Sequence, residues 1–338
     1  MPVQLLFVIS SPRSGSTMLE RMLESHSRIK GGPEPHLLTP LAHLGVWDKV
    51  DKAPYDHILA AEAQRLFVQQ LPHRERDYWD ACRAYCDTLY GRFLEGSGKD
   101  ICLDKTPAYG LVLPFLMKVF PDAKYVVLTR HPLATFASYA NSFFDGDYPA
   151  AQTYNPILNR YVPAIAAFLR QSDVPFFHVH YEDLVEAPEF WMEKVYAHIG
   201  VAFERETIDY GEKPVDESRS KGLGDPIGVK QHLRPTTGSI AKWVEDLASD
   251  AVRFKLMREV IAQIDSEDLS AYGYPTEAIW KPLEDWGGAK PAPKKSPLTK
   301  YRLQRKLIVN LRAFARKGGT FRKMIEKVRL ACEVLLRE

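Results

Sequence analysis

An α/β fold, with a mostly parallel sheet flanked by helices and a C-terminal helical appendage, is predicted by three features of the 338-residue sequence. A short apolar run ends in a small-residue turn and passes straight into a helical pattern. Further apolar runs alternate with helix-forming segments. The composition, 45% hydrophobic and 26% charged, is that of a globular chain with a large core. A single body of this size buries roughly three quarters of its extended surface, so neither metal nor disulfides are needed to hold it together.

The first element is the apolar run Val3 to Ile9, which suits a strand buried on both faces and stopped by the turn Ser10 to Gly15. Met18, Leu19, Met22 and Leu23 then recur at helical spacing, with Ser16 or Thr17 near the start and Glu20 in the first turns. The order is therefore strand, tight loop, helix. Residues 57 to 96 have the composition of covering helices, with Leu59, Ala63, Leu66 and Phe67 on one apolar stripe and Trp79, Cys82, Cys86 and Leu89 on another. Three more strands are expected at Ile101 to Leu103, Tyr125 to Thr129 and Phe176 to His180. Three units follow from this pass: a folded body over residues 1–281, a linker over 282–297 carrying four prolines, two glycines and three lysines, and a tail over 298–338. In the tail, Leu303, Leu307, Leu311 and Phe314 and then Phe321, Ile325, Val328 and Leu335 predict two basic amphipathic helices.

Charge divides along the same boundary. The net charge of +2 conceals a tail with 12 Lys+Arg against 3 Asp+Glu, leaving 33 against 40 in the rest. Attachment to an anionic membrane surface is one reading of that tail; packing on the body or on a second subunit is another. A nucleic-acid partner is not expected. Cys82, Cys86, Cys102 and Cys332 include no C-x-x-C pair, and no nearby His or Cys completes a zinc set, so the expectation is a reducing compartment without a metal site. No basic leader precedes the first strand and no run of about 18 apolar residues occurs. The expected location is cytoplasmic, with peripheral membrane attachment as the open variant.

The segment Ser10 to Thr17 sits where a buried strand turns into a helix, a place where backbone N–H groups and the helix dipole receive anions. Against G-x-x-x-x-G-K-[ST], Gly15 and Thr17 match, while Ser10 replaces the first Gly and Ser16 the Lys. Without that ammonium a nucleotide kinase or triphosphatase is disfavoured. The series Pro12-Arg13-Ser14-Gly15-Ser16-Thr17 instead resembles the 5′-phosphosulfate loop of sulfotransferases that use 3′-phosphoadenosine 5′-phosphosulfate (PAPS). Three further elements follow in the family's order. Arg130 at a strand end, with Pro132 next and Ser138 on the following helix, resembles the 3′-phosphate site; Asp104-Lys105-Thr106-Pro107 resembles the Lys-Thr-Pro element; Gly238 to Trp243 resembles the late segment that closes over the nucleotide. The match extends over roughly residues 3 to 275. One departure is Ser142, where some tyrosine-directed relatives carry an Arg.

The resemblance implies metal-independent, in-line transfer of a sulfuryl group from PAPS to a hydroxyl on a small molecule, lipid or acyl chain, with release of 3′,5′-ADP. Arg13 and Lys105 are then the cations over the transferring group and the leaving oxygen, with Ser14, Gly15, Ser16 and Thr17 as loop donors and Arg130, Ser138, Tyr181 and Lys242 around the nucleotide. Glu34 matches the catalytic glutamate of relatives that sulfate tyrosine or acyl hydroxyls, and its backbone is pinned between Pro33 and Pro35. His36 is the rival base or an orienting partner. Plainer roles stand beside these: a surface ion pair for Arg13, a salt bridge to Asp104 for Lys105, a surface loop position for Glu34, packing for His178, His180 and Tyr181, and a core position for Trp243. The acceptor wall is expected in residues 36 to 60 and 140 to 165, where Trp47, Tyr55, Phe143, Phe144, Tyr148 and Tyr154 suit either a partly apolar substrate or the core. Residues 224 to 230 read as a flap. A nonenzymatic adaptor that binds PAPS without turnover is the third function class.

Overall fold

The computed structural model describes residues 4–32, 34, 38–42, 64–212, 233–286 and 324. Five strands, β1 (Gln4–Ser10), β2 (Ile29–Lys30), β3 (Ile101–Asp104), β4 (Lys124–Thr129) and β5 (Phe176–His180), form one sheet of order β2-β3-β1-β4-β5. Every pairing is parallel. The expected α/β architecture is thus present, with β2 as an additional short edge strand.

β1 lies at the centre because its sequence suits nowhere else. Leu6, Phe7, Val8 and Ile9 are each fully buried, and side chains alternate between the two faces of a strand. Leu5, Phe7 and Ile9 accordingly join one core cluster, and Leu6 and Val8 join the other. At roughly 2 kcal/mol for each fully buried large aliphatic or aromatic side chain, no edge position would repay this segment.

On the face of Leu6 and Val8 lie α1 (Ser16–Glu24), with Leu19, Met22 and Leu23 directed inward, and, later in the chain, the Tyr181–Glu186 and Pro188–Ile199 helices. The opposite face is covered by α2 (Leu38–Ala42), α3 (Glu75–Leu94), α4 (Leu113–Val119), α5 (Pro132–Phe144), α6 (Tyr148–Tyr154) and α7 (Ile157–Gln171). The Tyr181–Glu186 helix is α8 and the Pro188–Ile199 helix α9; α10 (Lys242–Ala248), α11 (Ala251–Ile261), α12 (Ser266–Ala271) and the turn α13 (Lys281–Glu284) complete the body. Helices on both faces of a parallel sheet leave one outlet for function, the carboxyl ends of the strands.

Several expectations change. Cys82 and Cys86 are buried on α3, but Tyr90 rather than Leu89 continues their stripe, and Leu66 and Phe67 are exposed while Val68 is buried. Phe144 and Tyr148 belong to the core, while Phe143 and Tyr154 are partly buried and pack against it, Phe143 with its ring 5.8 Å from the Arg13 guanidinium; Trp47 and Tyr55 lie outside the described residues. Pro282 falls inside α13, and Leu283 packs on the core, so the folded body continues past residue 281. Residues 287 to 297 of the linker, residues 224 to 230 and, Met324 excepted, the tail lie outside the described residues. Among the described residues no helix is long and apolar enough to cross a membrane.

Candidate active site

The carboxyl ends of β1, β3, β4 and β5 lead directly into the loop Ser11 to Gly15, Lys105, Arg130 and Tyr181, so strand pairing alone gathers these distant residues at one end of the sheet. Glu34 follows β2 at the same end.

The loop after β1 is curled by two left-handed residues, Arg13 at φ 70 and Gly15 at φ 90. Arg13 holds this conformation as a non-glycine residue, a strain of about 1–3 kcal/mol that the surrounding contacts must offset. At Gly15 the requirement is double: the φ favours glycine, and an added Cβ would run into the Tyr181 ring. Ser14 is fully buried, and Ser11 Oγ meets Ser14 Oγ at 2.6 Å and the Tyr272 hydroxyl at 3.3 Å. Ser16 and Thr17 open α1 without a side-chain cap, which directs the positive end of the helix towards the loop. These are the attributes of a rigid anion cradle.

A second cation closes the cradle from β4. Arg130 is buried, donates from Nη1 to the Arg13 carbonyl at 3.2 Å and from Nη2 to the Ser239 carbonyl at 2.6 Å, and lies 4.3 Å over the Tyr181 ring. Its Nε is buried without a hydrogen-bond acceptor among the described residues. Burial works against its charge, opposed by Tyr181 and Glu182. Arg13 donates from Nε to Ser138 Oγ at 3.2 Å, so the loop and the residue expected at the 3′-phosphate are in direct contact. Tyr181 is the first residue of α8, buried between Gly15 and Arg130, and therefore packs and borders the cradle at once.

The late segment is split by the structure. Ser239, in the turn Thr237–Ser239, reaches Arg130 through its carbonyl. Lys242 opens α10 and is exposed, whereas Trp243 is buried and stacks on His131 with ring centroids 4.6 Å apart. Trp243 is thus a core residue. Burial draws the His131 imidazole down to about 4, so it is neutral at pH 7. The backbone N–H of His131 donates to Glu182 Oε1 at 3.1 Å, and the Tyr274 hydroxyl donates to Glu182 Oε2 at 2.5 Å. His178 and His180 both meet Thr129 Oγ1, at 2.8 and 3.0 Å, which makes them packing residues with a shared hydroxyl. Among the described residues no cluster of His, Cys, Asp and Glu could hold a metal ion.

At β3 the salt bridge to Asp104, the plainer alternative for Lys105, is replaced by a different arrangement. Lys105 Nζ donates to Glu34 Oε1 and stands 3.5 Å from Glu20 Oε2, with the Lys105 and Glu20 side chains 1% and 3% exposed and that of Glu34 13%. Asp104 is occupied elsewhere: it accepts from the hydroxyls of Tyr90 at 2.6 Å, Tyr109 at 3.0 Å and Thr106 at 3.0 Å. Burial raises the Asp104 carboxyl to about 6 in spite of these three donors. Tyr109 in turn accepts the Leu38 N–H at 3.1 Å, tying α2 to β3. His36, the rival base, lies outside the described residues.

Sequence reasoning passed over Glu20, Asp104, Tyr272, Glu182 and Tyr274 as site residues. Glu20 carried a signal: it is an acidic residue beside Leu19, Met22 and Leu23 on the inward stripe of α1.

Comparison with known proteins accords with this geometry. Residues 5–205 match the model of the sulfotransferase family. The chain is 32% identical to nodulation protein NoeE of Sinorhizobium fredii (strain NBRC 101917 / NGR234) over 137 residues, 40% of this chain and 31% of that protein. It is 23% identical to the protein-tyrosine sulfotransferase of Drosophila melanogaster over 259 residues, 74% of this chain and 48% of that protein. The chain therefore spans about a third and about half of these two relatives. A solved sulfotransferase domain from the Synechococcus PCC 7002 olefin synthase is 25% identical, with a TM-score of 0.52 over 81% of this chain and 96% of that one.

Proposed function

The chain belongs to the sulfotransferase family, and on that premise we propose that it moves the sulfuryl group of PAPS to a hydroxyl acceptor, with Glu34 as the base. The observation that carries this reading is the Lys105–Glu34 pair, a buried ammonium and a less buried carboxylate at the same end of the sheet as the loop after β1. Sulfuryl transfer needs an anion cradle, a cation for the leaving oxygen and a proton acceptor for the incoming hydroxyl. The buried Arg130 Nε, without an acceptor among the described residues, and the curled Gly15 loop suit a nucleotide carrying a phosphosulfate and a second phosphate.

In this scheme Arg13, Ser14, Gly15, Ser16 and Thr17 hold the phosphosulfate, Arg130 and Ser138 take the 3′-phosphate, and Tyr181 supports both. Lys242 reaches the nucleotide only by moving its exposed side chain inward. The acceptor hydroxyl gives its proton to Glu34 as its oxygen attacks sulfur in line; the bond from sulfur to the phosphate oxygen breaks, and Lys105 receives the charge that develops there. His36 is the second candidate for the proton. The acceptor is a hydroxyl on a small molecule, lipid or acyl chain.

The test is transfer of labelled sulfate from PAPS to a panel comprising a phenol, a tyrosine peptide, a sugar, a sterol and a 3-hydroxyacyl thioester, in chelator-treated buffer. Turnover of one acceptor class, a loss of about 10²–10⁴-fold in kcat for Glu34→Gln and a comparable loss for Arg13→Ala are expected. Absence of both turnover and 3′,5′-ADP binding would overturn the reading; tight 3′,5′-ADP binding without turnover would make the chain an adaptor.

A further inference from the structure

We propose that Glu20 is a positioning residue that keeps the Lys105 ammonium paired and in place while Glu34 changes charge. The proposal rests on the assignment of Glu34 as base and Lys105 as the cation on the leaving oxygen.

Lys105 is bracketed by two carboxylates on different elements. Glu34 comes from the segment after β2, and Glu20 comes from α1, about one turn beyond Ser16 where that helix leaves the loop. Two buried or nearly buried carboxylates around one ammonium are more than pairing requires, and a buried carboxylate is costly to keep. Lys105 thus has one counter-charge in surplus. That surplus is what the reaction consumes.

When the acceptor O–H bond breaks, its proton goes to Glu34 and its oxygen forms the new bond to sulfur. The electron pair of the old sulfur–oxygen bond leaves with the phosphate oxygen of 3′,5′-ADP. Glu34 is now neutral and no longer compensates Lys105. With Glu20 3.5 Å away, the ammonium still has a buried counter-charge and keeps its proton as charge grows on the leaving oxygen. Without Glu20, the neutralised Glu34 leaves Lys105 short of a nearby counter-ion at the moment its charge is needed. The two carboxylates thereby divide the work: Glu34 takes the acceptor's proton, and Glu20 holds the ammonium.

Among the described residues, the titratable and charged groups shown to act on this pair include Glu20 from α1, Asp104 from β3, engaged by Tyr90, Tyr109 and Thr106, and Tyr161 from α7, which is coupled to Glu34 through space. Of these, Glu20 is the carboxylate placed within ion-pair distance of the ammonium.

The experiment compares wild type, Glu20→Gln and Glu20→Asp as full chains, using labelled PAPS and the acceptor turned over fastest in the panel above, with 3′,5′-ADP binding as an independent check of folding. For Glu20→Gln, kcat should fall about 10–100-fold with the KM for PAPS and the Kd for 3′,5′-ADP within about twofold. Removing one buried negative charge favours ionised Glu34 and disfavours charged Lys105, so both limbs of the pH–kcat profile should move to lower pH by about one unit. Glu20→Asp, which keeps the charge, should recover most of the rate and the wild-type limbs. A Glu20→Gln profile superimposable on wild type, or a Glu20→Asp enzyme as slow as Glu20→Gln, would overturn the proposal while leaving the assignment of Glu34 intact. Failure of the wild type to turn over any acceptor would instead overturn that assignment.

Discussion

The two buried cations of the site are held in opposite ways. Arg130 makes its hydrogen bonds to two backbone carbonyls and lies over the Tyr181 ring, with the Glu182 charge acting on it only through space and one nitrogen left without an acceptor among the described residues. Lys105 is enclosed by two carboxylates. Carbonyls and an aromatic face orient a guanidinium without cancelling its charge, so its field remains available to a permanent anion. Two carboxylates outnumber one ammonium until one of them takes a proton. The β4 end of the sheet is built to bind, and the β3 end is built to respond.

This contrast can be broken at Arg130 first. Arg130→Ala removes a preoriented cation and two ties, to the Arg13 and Ser239 carbonyls. The Kd for 3′,5′-ADP, measured by calorimetry, should rise at least about 100-fold, or roughly 2.7 kcal/mol. A rise of similar size in Lys105→Ala would erase the distinction between the two ends. Next in size is Gly15→Ala, which places a Cβ at φ 90 against Tyr181. A loss of about 1–3 kcal/mol in chemical denaturation is expected, together with weaker nucleotide binding. The pair Gly15→Ala with Tyr181→Ala should recover the steric part of that loss and leave the backbone part.

A separate, pH-dependent effect concerns Asp104. Its folded carboxyl is raised to about 6 from the ordinary 3.8, so the neutral form is favoured by folding. The resulting contribution to stability is fully present below about pH 4 and is lost as pH rises through about 6. In Asp104→Asn that component should vanish, flattening the change in melting temperature across this interval. An unchanged slope would mean that other groups set it.

Much of this site was legible because its residues lie in local patterns. A strand followed by Arg13 to Thr17, and a strand followed by Arg130 and Pro132, each announce themselves within about ten residues. β2 escaped because two residues contain no periodicity, and only pairing with β3 makes them a strand. The partner of Lys105 escaped for a geometric reason. Asp104 is adjacent in sequence, but neighbouring side chains of an extended segment point to opposite faces. Asp104 meets Tyr90 and Tyr109 of one core cluster, while Lys105 meets Glu20 of the helix on the other face. The exposure of Leu66 and Phe67 likewise depends on which face the rest of the body leaves uncovered, which composition does not encode.

The central position of β1 has a consequence for how ligand occupancy would be felt. A strand buried on both faces and paired on both edges exchanges its amide hydrogens only when the whole fold opens. The loop hangs from that strand, and a ligand bound there stabilises the folded state against the opening through which β1 exchanges. Nucleotide binding should therefore slow exchange throughout the sheet by a common factor, near 1 + [L]/Kd, rather than quieting one loop. Protection in β1, β3 and β4 would act as a gauge of how much of the protein carries its donor.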